Sequence, residues 1–162
     1  MKITALEEYG LRCLVQLACN DAGTPLSARE IAEAEGLTVE YVTQLLVRLR
    51  HAGLVKSVRG SRGGFLLTRP PGAMTMGDVS RALGEPLLER LCAFYTGTRP
   101  TCIHEGAACG ILDFWTDIAG KVHGVLDGYT LKDLAARMVE DRRRAAERAA
   151  GAEAAEGSAR PV

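Results

Sequence analysis

Gly36 separates two short segments that each open on a helix-capping residue, and no other feature of the 162-residue chain constrains its fold as tightly. In Ser27-Ala28-Arg29-Glu30 the Ser hydroxyl and the Glu carboxylate three residues later are spaced to accept each other's free amide hydrogens, which starts a helix. Gly36 stops it. Thr38 and Glu40 then open a second helix whose apolar positions, Val42, Leu45, Leu46 and Leu49, fall on one face. Two helices joined by a tight glycine turn form a helix-turn-helix.

The opposite face of the second helix carries Thr38, Glu40, Tyr41, Thr43, Gln44 and Arg48, all able to hydrogen-bond. Such groups near the start of a helix that fits the major groove reach base edges, and Ser27 at the head of the first helix joins them as a candidate DNA contact. Beyond this helix, Leu54-Val55-Lys56-Ser57-Val58 and Phe65-Leu66-Leu67-Thr68 are strand-like runs flanking Arg59-Gly60-Ser61-Arg62-Gly63-Gly64. That is a basic hairpin, or wing. Its glycines let the tip turn sharply near phosphates, and Arg59, Ser61 and Arg62 suit a narrow, electronegative minor groove.

Charge supports a polyanionic partner locally, although the whole chain balances 20 basic against 20 acidic residues. Residues 1 to 40 hold 3 basic and 7 acidic groups, whereas residues 41 to 70 hold 6 basic and no acidic groups. The six are Arg48, Arg50, Lys56, Arg59, Arg62 and Arg69. Phosphate is their natural partner, and double-stranded DNA the natural ligand.

The rest of the chain reads as helical. Residues 3 to about 19 form an amphipathic helix with Cys13 on its inner stripe and Cys19 near its end, both packing residues. A short helix spans residues 74 to 83, a longer one runs from about Cys109 to Leu126, and another from Thr130 to about Arg148. Ile111, Trp115, Ile118, Val122 and Val125 form a stripe wider than a small winged domain has surface to cover. A second copy is the economical partner, since a two-fold dimer presents two recognition helices to a palindromic site. The expected architecture is mainly α with a small β wing. It comprises a winged helix-turn-helix over 1–71, a short helix and cysteine-bearing loop over 72–110, a dimerisation helix and following helix over 111–140, and a disordered tail over 141–162.

Cys92, Cys102 and Cys109 lie within 18 residues on a glycine-containing loop, with His104 and Glu105 among them. Thiolates gathered on a loop fit zinc, an iron-sulfur cluster or reversible oxidation. Structural zinc usually shows a Cys-x2–4-Cys pair, which is absent, so an iron-sulfur cluster is favoured over zinc. His104, Glu105, Asp113 or a group from elsewhere in the dimer is available as a fourth ligand.

Other classes fit poorly. No run reaches the roughly 18 to 20 apolar residues of a spanning helix, and Glu7 and Glu8 fall where a signal peptide has its apolar stretch. The cytoplasm is the expected compartment. No Gly-Lys-Ser/Thr of a nucleotide-binding loop occurs, no catalytic constellation is recognisable, and His51 and His123 read as ordinary helix residues. An enzyme is not expected.

The segment Tyr9-Gly10-Leu11-Arg12-Cys13-Leu14, the run from Gly53 to Phe65 and the three late cysteines together resemble the IscR and NsrR group of bacterial regulators, the Rrf2 family. The resemblance spans about residues 1 to 138. It implies a homodimeric winged-helix transcription factor whose cysteine loop holds an iron-sulfur cluster, 4Fe-4S or 2Fe-2S, near the dimer interface. Cys92, Cys102 and Cys109 match the family's three cysteine ligands, and Tyr41, Gln44 and Arg59 fall where members contact DNA. The position of the IscR-like histidine ligand is Leu112 here. NsrR-like members instead use an acidic residue near the partner's N-terminus, a position held by Glu8, which is therefore the expected fourth ligand. Thr43 replaces an acid that helps IscR-like proteins select sites.

Overall fold

A computed structural model describes residues 4–21, 23–60, 63–84, 96, 98–102, 104 and 109–158, with side chains through Ala149. The chain begins with α1 (Ala5–Cys19), capped by Thr4, and continues through α2 (Ala28–Glu35) and α3 (Val39–His51). Each expected cap is present. Ser27 and Glu30 form the reciprocal box, and Gly36 adopts φ +65°, donating its N–H to the Ala32 carbonyl.

After Gly53, itself at φ +74°, the chain forms β1 (Val55–Val58) and β2 (Gly64–Leu67), antiparallel with Val55 opposite Leu67 and Val58 opposite Gly64. Leu26 adds a bridge to Phe65 through bonds of 3.1 and 2.8 Å, so the segment before α2 edges the wing. Gly64 permits this approach: a Cβ there would stand 2.4 Å from the Leu26 carbonyl oxygen. A single 3-10 turn (Pro71–Ala73) leads to α4 (Met76–Leu83), capped by Thr75 and Asp78. The helices α5 (Gly110–Asp127) and α6 (Leu131–Ser158) complete the described fold.

Core packing explains why the helix-turn-helix is rigid. Leu14 of α1, Ile31 of α2, and Val42, Leu46 and Leu49 of α3 are fully buried together. Met74 and Leu131 are equally buried, so the first turn of α6 plugs the same core. Backbone bonds from Leu131 N–H to the Met74 carbonyl (2.8 Å) and from Met76 N–H to the Tyr129 carbonyl (2.8 Å) hold this junction.

The C-terminal region differs from the sequence expectation of a disordered tail over 141–162, because α6 continues unbroken to Ser158. Three arginine–glutamate contacts at helical spacing, Arg143 with Glu140 (2.9 Å), Arg143 with Glu147 (2.9 Å) and Arg144 with Glu140 (2.8 Å), accompany an alanine-rich backbone of high helix propensity. Arg142 also donates to the buried Gln16 of α1 at 3.0 Å, anchoring the helix. Residues 159–162 lie outside the described residues.

Candidate nucleic-acid interface and cysteine loop

Helix α3 turns its apolar residues into the core and leaves Glu40, Thr43, Gln44 and Arg48 exposed. Three of the expected contact residues have their hydroxyls engaged locally. Ser27 donates to Glu30 (2.6 Å), Thr38 accepts from the Tyr41 N–H (3.3 Å), and Thr43 donates to the Val39 carbonyl (2.7 Å). Tyr41 is half-buried, its ring edge-on to Tyr9 at 5.8 Å, so this side chain is partly tied to α1. Glu40, Gln44 and Arg48 have no partner among the described residues.

In the wing, Gly60 takes φ +122°, and the Gly63 N–H donates to the Gly60 carbonyl at 2.9 Å. A Cβ on Gly63 would meet the Val58 carbonyl oxygen at 2.5 Å, so the tip tolerates little but glycine there. Arg59 and Lys56 are exposed on this hairpin, while Ser61 and Arg62 lie outside the described residues. Within the carboxylate-free stretch, Arg69 alone meets a described carboxylate, Asp78 at 2.6 Å. Arg48, Arg50, Lys56 and Arg59 have no ion-pair partner among the described residues. Cations left without counter-charge in the folded protein release the counterions of a phosphate backbone when they bind it.

The arginine at 69 belongs to a chain that sequence reasoning missed. Asp78 also accepts from Arg81 (3.1 Å), Arg81 donates to Asp127 (3.1 Å), and Asp127 accepts from the Thr75 hydroxyl (3.2 Å). These contacts join the base of the wing to the end of α5. The Thr75–Asp78 capping spacing is visible in the sequence; the approach of Asp127 is not.

The metal-ligand candidates are distributed unevenly. Cys102 and Cys109 are half-buried, Cys109 immediately before α5, and the Cys102 sulfur lies 3.9 Å from His104 Nδ1. Cys92 and Glu105 fall outside the described residues. Glu8 is held by Arg12 at 2.8 Å, and Arg12 reaches Glu35 at 3.8 Å. Among the described residues of one protomer, no three His, Cys, Asp or Glu groups come together around a metal-sized space. The remaining thiols belong to the core: burial pushes Cys13 up to about 12, and burial likewise raises Cys19, whose sulfur contacts the Ala135 carbonyl at 3.7 Å. Thiol chemistry near neutral pH is thereby disfavoured at both.

The stripe on α5 is divided. Ile118 and Val122 are half-buried on the α4 side with Ala119, whereas Ile111 (68%), Val125 (64%) and Trp115 (36%) remain exposed. Phe114, also exposed, packs edge-on to Trp115 at 5.1 Å. No helix among the described residues is long and apolar enough to cross a membrane.

A helix-turn-helix sharing its core with a two-stranded basic hairpin defines a winged-helix DNA-binding regulator rather than an enzyme. The model of the Rrf2 family, iron-dependent transcriptional regulators, matches residues 3–137, and the chain belongs to this family. It is 37% identical to the regulator CymR of Bacillus subtilis over 135 residues, which cover 83% of this chain and 90% of that protein. It is 31% identical to the regulator IscR of Citrobacter koseri over 134 residues, 83% of this chain and 79% of the relative. Among solved structures, B. subtilis CymR, described as a global cysteine regulator, matches with a TM-score of 0.66 at 35% identity, covering 85% and 98% of the two chains. T. potens IscR matches with a TM-score of 0.64 at 31% identity, covering 90% of each.

Proposed function

We propose that the protein is a homodimeric, repressor-like transcription regulator that reports redox, nitric oxide or iron-sulfur status through its cysteine loop. Each protomer lays α3 in the major groove of a palindromic DNA site and its wing in the adjacent minor groove, while the exposed stripe of α5 pairs two copies. The observation that carries the reading is the set of cations at Arg48, Arg50, Lys56 and Arg59, without counter-charge among the described residues and spread over the end of α3 and the wing. Glu40 and Gln44 supply base-edge acceptors and donors beside them.

Cys92, Cys102 and Cys109 would hold an iron-sulfur cluster, with Glu8 of the second copy as fourth ligand. The donor chemistry fits: Cys102 and Cys109 are half-buried thiols on one loop, distinct from the core thiols Cys13 and Cys19. When bound, such a cluster supplies redox and nitric-oxide sensitivity. The protein's own contribution is positional, since Glu8 shares α1 with Arg12, which reaches Glu35 at the end of α2. Recruiting Glu8 elsewhere frees Arg12 to close on the helix-turn-helix.

A second reading keeps the dimer on DNA but uses the loop cysteines as a thiol switch or zinc site. The likeness to CymR, a cysteine regulator by description, and the Cys102–His104 contact favour it. Iron and sulfide analysis of protein purified without oxygen separates the two readings. Under the cluster reading, Cys102→Ala abolishes the visible absorbance of the anaerobically reconstituted protein; an unchanged spectrum removes Cys102 from the ligand set. DNA titrations with promoter fragments test the parent reading: a steep loss of affinity with salt is expected, and no salt dependence would overturn it.

A further inference from the structure

Among the described residues, Gln16 of α1 is the one polar side chain buried with the core, 6% exposed, and it is satisfied from two directions. Its amide nitrogen donates to a carboxylate oxygen of Glu35 and lies 4.0 Å from the Met138 sulfur, while its carbonyl oxygen accepts from Arg142 at 3.0 Å. Glu35 is the last residue of α2, and its side chain is 8% exposed. Arg12, one turn before Gln16, reaches the other Glu35 oxygen at 3.8 Å. A buried amide therefore joins the C-terminal helix to the end of the first helix of the helix-turn-helix.

The amide can face two ways, and only one of them serves. With its nitrogen toward Glu35 it donates to a buried carboxylate; turned over, it would set its carbonyl oxygen against that carboxylate, acceptor against acceptor. Arg142 decides between them, because a guanidinium carries donors only and so requires the carbonyl oxygen on its own side. Donation into that oxygen also polarises the amide and strengthens its bond to Glu35. The position held in this way matters to α3. Thr38, Val39 and Glu40 at its opening are exposed, whereas Val42, Leu45, Leu46 and Leu49 further along are buried, so the opening is placed by Leu37 and by where α2 ends. Glu40 and Gln44, the exposed candidates for base-edge contact, stand on that stretch.

We propose that Arg142 is a positioning residue for DNA recognition: through the Gln16 amide it holds Glu35, and with it the turn that aims α3. The inference rests on the reading of α3 as the recognition helix. Arg142 lies beyond residue 137, where the match to the family model ends, so the extension of α6 past the shared domain acts on the DNA-binding unit. The arginine itself is exposed, and replacing it opens no cavity in the core.

Fluorescence anisotropy tests this, using the full chain and a duplex that the parent protein selects from a random-sequence pool, over a range of salt. Arg142→Ala is expected to weaken binding about threefold to thirtyfold, the range over which residues remote from a ligand act through coupling, with an unchanged slope against salt. A slope reduced by about one unit would make Arg142 a phosphate contact and overturn the positioning role. Arg142→Lys, which can still donate to the Gln16 carbonyl, is expected to restore most of the affinity. In a Gln16→Met background, which removes the relay at similar volume, Arg142→Ala is expected to have no further effect; an undiminished effect there overturns the relay. Hydrogen exchange read by mass spectrometry reports on the turn directly: Arg142→Ala should speed exchange in peptides covering residues 31–41 and leave the wing unchanged, and unchanged exchange at the turn overturns the proposal. A variant that melts lower yet binds like the parent overturns it too, since the contact then only stabilises. A parent chain that selects no duplex removes the recognition reading, and this proposal with it.

Discussion

Arg81 and Asp127, 46 residues apart in sequence, meet at 3.1 Å, and the same guanidinium lies 3.1 Å from Asp78, which in turn holds Arg69 at 2.6 Å. The end of α5 is thus linked by two aspartates and two arginines to the residue that follows the wing. A Cβ at Gly77 would stand 1.9 Å from Asp127 Oδ1, so a bare backbone at 77 is what admits the carboxylate. The helix proposed to join two protomers and the hairpin proposed to grip DNA therefore share one polar joint.

Gly77→Ala is expected to expel the exposed Asp127 side chain and break its bond to Arg81 at a cost to stability below about 1 kcal/mol, because the displaced atoms are side-chain ends and alanine favours the helix. Chemical denaturation measures the loss. Asp127→Asn removes the ion pair without the clash, and its expected signature is weaker binding to a two-half-site DNA with little change for an isolated half-site. Equal effects on both DNAs would contradict a role in spacing the two wings.

Acid should weaken the fold in a defined window. The hydrogen bond from Arg81 holds Asp127 below its ordinary value of 3.8, helped by Thr75 against the opposing effect of burial. Burial raises Asp78, but the Thr75 N–H, Arg81 and Arg69 outweigh it and the net shift is downward; the Ser27 cap similarly lowers Glu30. A carboxylate depressed in the folded state adds stability that is complete above its unfolded value and is lost as pH falls through the folded one. Melting temperature is accordingly expected to be insensitive to these groups between neutral pH and about 5, and to drop below about 4. Asp127→Asn should make that drop shallower; an identical acid limb would contradict the assignment.

Binding to DNA should carry the signature of its cations. Arg59→Ala is expected to flatten the dependence of log affinity on log salt by about one unit if the guanidinium meets a phosphate. Arg69→Ala, whose partner is already Asp78, should change the slope less than Arg59→Ala does. A larger effect at 69 than at 59 would move the contact surface away from the wing.

Thiol reactivity should separate the cysteines. In metal-free folded protein, alkylation at pH 8 is expected to modify Cys102 and Cys109 well before Cys13, whose sulfur is fully buried and pushed up to about 12. Peptide mapping after timed quenching reads the order, and denaturation should make all sites equivalent. Early labelling of Cys13 would contradict the packing of α1.

Truncating the heart of the recognition domain gives a reference for all of these. Leu46 is fully buried beneath α3, and Leu46→Ala is expected to cost about 2–5 kcal/mol. Guanidine unfolding provides the number; a loss below 1 kcal/mol would mean that the core relaxes around this position.

Much of the architecture is legible in short stretches of sequence because short-range terms fix it. Ser27 with Glu30, Gly36 at φ +65° and Thr38 each satisfy backbone groups within three or four residues, so the helix-turn-helix can be read directly. The wing follows for the same reason: alternation sets its strands and glycines its tip. The cationic stretch is equally local, since no carboxylate occurs between residues 41 and 70.

Tertiary structure alone decided which of those groups remain available. Tyr41 leans on Tyr9 of α1, while Glu40, Gln44, Arg48 and Arg59 stand exposed. It also placed Leu131 in the core beside Met74, tied Arg142 to Gln16 and brought Asp127 to Arg81. Pairings across 46 to 126 residues depend on how whole helices cross, and crossing is set by the summed packing of many side chains rather than by any spacing along the chain.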